Sequence, residues 1–123
     1  HPEDVALAQA RAIQTPEALG KTLMIGGGEG CRLTFREFYE KMFDATGVGR
    51  FPPEAYGAGE YYTEWMDTTE SQALLGFQRI RFDEFIDALR ASYRFTRPPT
   101  RLIAPLIRRW MLQYSDAWQQ RRA

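Results

Sequence analysis

The residues best placed for cofactor chemistry are the glycines of the run Gly26–Gly30, between an apolar segment and a helical pattern. A dinucleotide-binding turn occupies that position in a strand–turn–helix unit. Its spacing, G-x-G-x-x-G, fails here because the last glycine would fall on Cys31 or on Leu33. The phosphate-binding pattern G-x-x-x-x-G-K-[ST] is also absent from the sequence. We therefore predict a flexible strand-to-helix connection at these glycines and no cofactor-binding residue.

Nucleophilic and metal-ion chemistry would depend on very few side chains. Cys31 and His1 are the single cysteine and the single histidine, so neither a Cys–His pair nor a zinc site is expected. Glu40 and Asp44 lie one helical turn apart and could in principle bind a metal ion. Carboxylates at that spacing more often form the solvated face of a helix. We predict no catalytic residue and no metal-binding residue.

Three aromatic residues are the candidates for binding a substrate. Tyr61, Tyr62 and Trp65 follow a stretch rich in glycine and proline. Aromatic side chains with polar tips can line a ligand pocket, because they combine apolar area with a hydrogen-bonding group. The alternative is that the same side chains only pack in a hydrophobic core.

Amphipathic helices are the elements that must position these groups. Apolar residues with helical spacing predict a first helix over about residues 2–14. Thr34 with Glu37 forms a capping box, which predicts the start of a second helix with one face of aromatic and methionine side chains. Asp67 with Glu70 predicts a further capping box at the start of a short helix.

One segment predicts a β-strand. Lys21–Ile25 is an apolar run bounded by glycines on both sides. A lone strand leaves its backbone N–H and C=O groups unpaired, so it needs neighbours that this chain barely supplies. We predict a mostly α fold with a minor β component (α+β), divided into residues 1–96 and a C-terminal amphipathic helix over 97–123. The lone strand, together with a start at His1 and not at a methionine, indicates a piece of a longer protein.

Size and composition limit the classes of protein that the chain can be. Its 123 residues, 44% of them hydrophobic, suffice for one small globular domain. No apolar run approaches the roughly 20 residues that span a bilayer, and the absence of a signal pattern and the single cysteine predict a cytoplasmic location. The formal net charge of zero disfavours a nucleic-acid partner. The charge is uneven: residues 1–70 carry 12 acids and 6 bases, whereas residues 71–123 carry 4 acids and 10 bases.

The C-terminal helix combines an apolar side with nearby arginines. Arg97-Pro98-Pro99 predicts a stiff break before it, which places Pro105 in its first turn. Such a helix could pack against the rest of a parent protein or a second subunit, or it could lie on a membrane surface. We therefore keep a non-enzymatic interaction domain, peripheral at a membrane through the 102–118 helix, as the alternative function. The apolar side comprises Leu102, Ile103, Leu106, Ile107, Trp110, Tyr114 and Trp118.

Five motifs occur in a set order along the chain. They are His1-Pro2-Glu3-Asp4-Val5-Ala6, Gly20-Lys21-Thr22-Leu23-Met24-Ile25-Gly26-Gly27, Leu33-Thr34-Phe35-Arg36-Glu37-Phe38, Asp67-Thr68 with Leu74-Leu75-Gly76-Phe77, and Phe82-Asp83-Glu84-Phe85. The first four resemble H-x-x-D-V-A, G-K-T-x-x-I-G-G, L-T-[YF]-x-E-[FL] and D-[TS]…L-G-[WFY] of extended short-chain dehydrogenase/reductases, the NAD-dependent epimerase/dehydratase family. The fifth is similar to the helix that follows in that family. The resemblance covers about residues 1–95 and implies a C-terminal, substrate-side fragment of a Rossmann-type α/β protein.

The resemblance implies an enzymatic parent, an oxidoreductase or isomerase. In that family an N-terminal Rossmann domain binds NAD(P) through G-x-x-G-x-x-G, and a Tyr-x-x-x-Lys pair performs the acid–base chemistry. Neither motif is in this chain, because the only lysines, Lys21 and Lys41, follow Glu17 and Glu37 at that spacing and not tyrosine. The chain alone is therefore expected to bind no cofactor and to be inactive.

The resemblance also implies partners for the chain. These are the parent's N-terminal Rossmann domain, a small-molecule substrate and a possible second subunit. Family members that act on nucleotide-sugars tend to carry an Arg-Pro-Gly-Asp-like stretch, where this chain has residues 56–60, Tyr-Gly-Ala-Gly-Glu, without the arginine. This difference disfavours a nucleotide-sugar substrate. Tyr61, Tyr62 and Trp65 fall where family members can approach their substrates.

Overall fold

The computed structural model describes residues 1–57 and 64–121. Within these ranges the chain is helical and forms no β-strand, so the prediction of a mostly α fold is confirmed. The α-helices are α1 (Pro2–Gln14), α2 (Phe35–Thr46), α3 (Thr69–Leu75), α4 (Phe82–Ser92), α5 (Arg97–Met111) and α6 (Asp116–Gln120). Short 3-10 helices lie at Pro16–Ala18, Glu29–Cys31, Pro53–Ala55 and Leu112–Tyr114.

The predicted β component is wrong for the part of the chain that the structure describes. Lys21–Ile25 forms neither strand nor helix. A strand is stable only when a neighbouring strand pairs its backbone groups, and residues 1–57 and 64–121 supply no such strand. Side chains bind this segment and the glycine after it instead. The Ser71 hydroxyl donates to the Met24 carbonyl at 2.6 Å, and the Gln78 amide donates to the Gly26 carbonyl at 2.8 Å.

Helix α2 begins where the capping box predicts. The Thr34 hydroxyl accepts from the Glu37 backbone N–H at 3.2 Å, and the Glu37 carboxylate accepts from the Thr34 backbone N–H at 2.8 Å. Helix α3 differs from the prediction, because it begins at Thr69 without a capping box. Its start is stabilised by Asp67, whose carboxylate accepts from the Thr69 backbone N–H at 2.9 Å in a local Asx-type contact.

Helix α5 begins earlier than the sequence predicts. Arg97-Pro98-Pro99 forms the first turn of this helix and not a break before it, so Pro105 lies in the helix interior. Prolines are tolerated in a first turn because the N–H groups there have no intrahelical acceptor. No helix of the described residues is both long and apolar enough to cross a bilayer.

Residues 1–32 and 64–85 form one compact unit. Its core contains Ala8 of α1, Leu75 of α3 and Phe77, each at most 3% exposed. Arg11 of α1 donates to the carbonyls of Leu75 and Gly76 at 2.8 and 2.6 Å. These carbonyls at the C-terminal end of α3 lack intrahelical donors, so the arginine both satisfies and electrostatically stabilises that end.

A buried carboxylate forms a second set of long-range hydrogen bonds in the same unit. Asp4 is 5% exposed and accepts from the backbone N–H groups of Arg79 and Ile80 at 3.3 and 3.1 Å. A buried charge is stable only when hydrogen bonds replace its lost water, and these two donors serve that purpose. Asp4 is the acidic residue of the first motif, so its role in this structure is to hold residues 79–80 against α1.

Residues 33–57 and 86–121 form the second compact unit. An ion-pair cluster holds it together: the Asp44 carboxylate lies 3.4 Å from the guanidinium groups of both Arg90 and Arg97. Arg108 of α5 donates to the Val48 carbonyl at 2.6 Å, which ties α5 to the segment after α2. The buried apolar side chains of this unit are Ala45, Phe51, Ile86 and Ala104.

Candidate functional site

The three predicted substrate-binding residues are only partly open to a structural test. Tyr61 and Tyr62 lie outside the described residues. Trp65 is described, and its side chain is 61% exposed. Substrate binding by these three residues stays a prediction.

An aromatic cavity of about 570 Å³ lies in the unit formed by residues 33–57 and 86–121. Cavities that hold small molecules fall in this size range and are mostly apolar. Helix α2 supplies one wall, because Phe35, Tyr39 and Phe43 are spaced four residues apart and share a face. The remaining lining residues are Phe51, Ala55, Tyr56, Gly57, Met111, Leu112, Tyr114, Ser115, Asp116 and Ala117.

The aromatic wall is a continuous series of ring contacts. The ring centroids of Phe35 and Tyr39 are 4.5 Å apart, those of Tyr39 and Phe43 are 5.6 Å apart, and those of Phe43 and Phe51 are 5.0 Å apart. Tilted aromatic pairs at these distances are mutually stabilising. The wall is therefore held in place by its own contacts, and it presents ring faces and edges to the cavity.

Tyr56, which lines this cavity, has an unsatisfied polar atom. Its hydroxyl is buried, and no hydrogen-bonding group of the described residues reaches it. The Arg36 guanidinium lies 5.8 Å from the Tyr56 ring centroid and is paired with Glu40 at 2.7 Å. Burial raises the pKa of the Tyr56 phenol, the charge of Glu40 raises it further, and Arg36 lowers it. The phenol is therefore protonated at neutral pH and can both donate and accept a hydrogen bond.

The segment beyond α5 closes another part of the cavity wall. The Ser115 hydroxyl donates to the Ala55 carbonyl at 2.6 Å and accepts from the Trp118 backbone N–H at 3.2 Å, which starts α6. This contact joins residues that are 60 positions apart in the chain. Asp116, an exposed acidic residue, follows directly and is among the residues that line the cavity. A negative charge at the wall disfavours an anionic ligand.

The carboxylates considered as metal ligands have other roles. Glu40 is bound to Arg36, and its side chain is only 17% exposed, so the prediction of a solvated face is wrong for this residue. Asp44 is bound to Arg90 and Arg97. In residues 1–57 and 64–121 no group of three or more histidine, cysteine or carboxylate side chains is arranged to hold a metal ion.

The glycine run and the cysteine form a tight turn. A Cβ atom on Gly27 would lie 2.5 Å from the Cys31 side chain, and one on Gly28 would lie 2.5 Å from the Gln78 amide oxygen. Gly28 also has a φ of 66°, in the left-handed region that favours glycine. Close packing and backbone conformation therefore account for these two glycines.

Two further grooves are lined by arginines. One of about 390 Å³ lies beside Arg11, whose guanidinium is already bound to the end of α3. The other, of about 860 Å³, lies along α5 and is lined by Arg108, Arg109 and Trp118 among others. The aromatic cavity differs from both because it combines an apolar wall with a buried, unpartnered hydroxyl.

No protein-family model, curated protein or solved structure matches this chain.

Sequence reasoning found part of the cavity and missed its polar group. The capping box and the aromatic spacing predict the face of α2 that forms the cavity wall, but not that a cavity lies against it. Nothing in the sequence around Tyr56 indicates that its hydroxyl is buried.

Proposed function

We propose that the chain is the C-terminal, substrate-side domain of an NAD(P)-dependent epimerase/dehydratase-like protein, and that the aromatic cavity binds the apolar part of an uncharged small-molecule substrate. The observation that carries the binding proposal is the aromatic cavity of about 570 Å³, whose lining includes Tyr56, the residue with the unpartnered hydroxyl. That hydroxyl is closed to solvent, so a ligand hydroxyl or carbonyl group would reach it after a rotation of the Tyr56 side chain, and the rings of α2 would cover the ligand's apolar surface.

The family assignment within this proposal rests on the five motifs and their order. In the proposed parent, the N-terminal Rossmann domain supplies NAD(P) binding and the Tyr-x-x-x-Lys pair, and this chain supplies substrate contacts. Lys21–Ile25 would then be a strand whose partner lies in that domain, which fits its irregular conformation in residues 1–57 and 64–121. Tyr61, Tyr62 and Trp65 remain candidate substrate contacts.

Charge guides the choice of substrate class. Asp116 lines the cavity, and the nearby Arg36 is paired with Glu40. A phosphate entering the cavity would therefore meet a carboxylate and no free arginine among the lining residues. This agrees with the missing arginine in residues 56–60, and we propose an uncharged substrate with an aromatic or alicyclic body and a hydroxyl or carbonyl group.

Calorimetry with a matched pair of probes tests the proposal. Naphthol carries one hydroxyl on an aromatic body, and naphthyl phosphate replaces that hydroxyl with an anion. We expect naphthol to bind with a Kd on the order of a millimolar or tighter, which is reasonable for so small a ligand. We expect naphthyl phosphate to bind at least about tenfold more weakly, because Asp116 repels it.

Two variants locate the binding site. Ala117→Phe places a ring at the cavity wall and should weaken naphthol binding by about tenfold or more, because it occupies ligand space. Ala73→Phe adds the same ring to an exposed alanine of α3 and should leave binding unchanged. Equal binding to both variants, with circular dichroism showing that both are folded, would overturn the cavity as the site.

The family assignment has a separate test. A reading frame that extends upstream with G-x-x-G-x-x-G and Tyr-x-x-x-Lys would support the proposed parent protein. Absence of these motifs upstream would overturn the family assignment but not the proposed ligand binding.

A further inference from the structure

Helix α5 presents an apolar stripe on its outer face. Leu102, Leu106 and Trp110 recur every four residues and are 84%, 70% and 58% exposed. Residues at that spacing line one face of a helix. Ile103 and Tyr114 lie beside them and are also exposed. Single exposed apolar residues are common, but a contiguous row of this kind marks an interaction surface.

The opposite face of α5 is bound to its own unit. Ala104 is 3% exposed, Arg97 pairs with Asp44, and Arg108 donates to the Val48 carbonyl. The helix is therefore fixed by one side while the apolar stripe points away from the residues that hold it.

The charge around the stripe indicates what it contacts. Between residues 88 and 115 the chain has six arginines and no carboxylate, but Arg90, Arg97 and Arg108 are bound within the unit. Arg109 is exposed next to Trp110, whereas Arg101 lies one turn after Arg97, on the held face. Just before the helix, the Arg94 guanidinium lies 4.5 Å from the ring centroid of Phe95, an exposed aromatic residue. A partner must accept apolar and aromatic side chains while supplying negative charge beside them.

We propose that this face of α5 docks onto a bilayer surface that contains anionic lipids. The acyl boundary accepts Leu102 and Leu106, the headgroup level suits Trp110, and lipid phosphates attract Arg109. A helix that lies in the plane of the surface does not need the length or apolarity of one that crosses it. This inference is independent of ligand binding in the aromatic cavity.

A second copy of the chain fits this face less well. In a two-fold symmetric contact the same surface meets itself, so the arginine-rich segment of one copy would lie against that of the other. Like charges in that arrangement oppose association. Lipid phosphates supply the opposite charge and make the bilayer the better match.

Vesicle binding tests the proposal with the full 123-residue chain. The chain is mixed with vesicles of phosphatidylcholine alone, or of phosphatidylcholine and phosphatidylglycerol in equal parts, and bound protein is measured by sedimentation. We expect binding to the mixed vesicles, at least about tenfold weaker binding to phosphatidylcholine alone, and a further loss as salt is added. With Trp65 and Trp118 replaced by phenylalanine, the fluorescence of Trp110 should shift to shorter wavelength on binding.

Matched variants separate the contribution of apolar burial to vesicle binding from the contribution of charge. Leu106→Ser with Trp110→Ser should reduce binding by about tenfold or more, because apolar burial is lost. Arg109→Glu should reduce it by about tenfold or more, because a charge beside the stripe is reversed. Ile13→Ser with Leu19→Ser changes two even more exposed apolar residues of the other unit and should leave binding unchanged.

Three results would overturn the proposal. The first is failure of the wild-type chain to bind the mixed vesicles. The second is equal loss of binding in the Ile13→Ser with Leu19→Ser control, since binding would then not be specific to α5. The third is a dimer in sedimentation equilibrium that the Leu106→Ser with Trp110→Ser variant makes monomeric and that does not bind vesicles, because a second copy would then cover the stripe.

Discussion

Tyr56 is the residue on which the character of the aromatic cavity depends. Its hydroxyl is buried without a hydrogen-bond partner among the described residues, and a buried unsatisfied hydroxyl costs free energy of folding. That cost is compatible with function, since a ligand that supplies the missing partner recovers it. The raised pKa of the phenol keeps it neutral and able to bind a polar group of the ligand.

Replacing Tyr56 by phenylalanine should separate the effect of the hydroxyl on stability from its effect on ligand binding. We expect Tyr56→Phe to leave the free energy of unfolding unchanged or to raise it by about 1 kcal/mol, because the unsatisfied hydroxyl is removed. The same variant should weaken naphthol binding by about fivefold, because one hydrogen bond to the ligand is lost. Urea denaturation and calorimetry measure the two effects, with Tyr93→Phe at an exposed tyrosine as the control. A large loss of stability in Tyr56→Phe would contradict the account.

Glu37 provides a prediction about pH. Its carboxylate accepts from the backbone N–H and the hydroxyl of Thr34, and these hydrogen bonds lower its pKa below the ordinary value of 4.5. Because the folded pKa is lowered, the contribution of Glu37 to stability is present above its ordinary pKa and is lost as pH falls through the folded value. Carbon-detected NMR titration should show the lowered pKa, and Thr34→Ala should raise it. An unchanged pKa in Thr34→Ala would refute the contribution of the Thr34 hydroxyl, since the backbone N–H remains in that variant.

Residue-level prediction succeeded where the chemistry is local. The capping box of Thr34 with Glu37 involves neighbours in the sequence and could be predicted from spacing alone. The Tyr56 phenol, in contrast, lies among groups that are distant in sequence, namely Arg36 and Glu40 of α2. Periodicity carries no information on such long-range contacts, so the polar group of the cavity could not be predicted.

At the scale of elements, the end of α2 depends on a glycine. Gly47 has a φ of 92°, and a Cβ atom there would lie 2.8 Å from the Arg97 backbone carbonyl oxygen. A side chain at this position would therefore meet both an unfavourable backbone conformation and rigid main chain. The close approach of Arg97 is also what allows its guanidinium to pair with Asp44.

Two glycine substitutions separate the cost of an unfavourable backbone conformation from the cost of steric overlap. Gly20 also has a positive φ, of 72°, but a Cβ atom there would meet nothing within 4 Å. We expect Gly20→Ala to lower the free energy of unfolding by about 1 kcal/mol from backbone strain alone. Gly47→Ala should lower it by about 2 kcal/mol or more, because steric overlap is added. Thermal and urea unfolding measure both, and equal costs would argue against the crowding at Gly47.

Element prediction failed where a segment depends on its surroundings. The apolar run Lys21–Ile25 has the composition of a strand, but a strand requires a neighbour, and side chains of Ser71 and Gln78 bind that region instead. Pro98-Pro99 was interpreted as a break, although prolines also suit a first helical turn. Both errors come from patterns that are compatible with two local structures.

At the scale of the whole molecule, charge follows the order of the chain. Residues 1–70 carry a net charge of −6 and residues 71–123 a net charge of +6, so the total of zero hides two oppositely charged segments. The arginines of residues 88–115 belong to the unit that contains the aromatic cavity. One unit therefore carries both the proposed ligand site and the proposed membrane-facing helix.

Cofactor binding gives a prediction for the whole chain. Because the chain has neither G-x-x-G-x-x-G nor Tyr-x-x-x-Lys, we expect calorimetry with NADH and NADPH to show no binding to the isolated chain. If the upstream domain is present in the parent, its addition should restore affinity. Micromolar affinity of the chain alone would contradict the proposed division of roles between the two domains.

The most direct test of the central claim is to locate a bound ligand by NMR. Intermolecular nuclear Overhauser effects between naphthol and the labelled chain report which side chains lie next to the probe. The account predicts contacts to the ring of Phe43 and the methyl group of Met111, which line the aromatic cavity, and their loss in Ala117→Phe. Contacts only to residues 1–32 and 64–85, or no contacts at saturating naphthol, would contradict it.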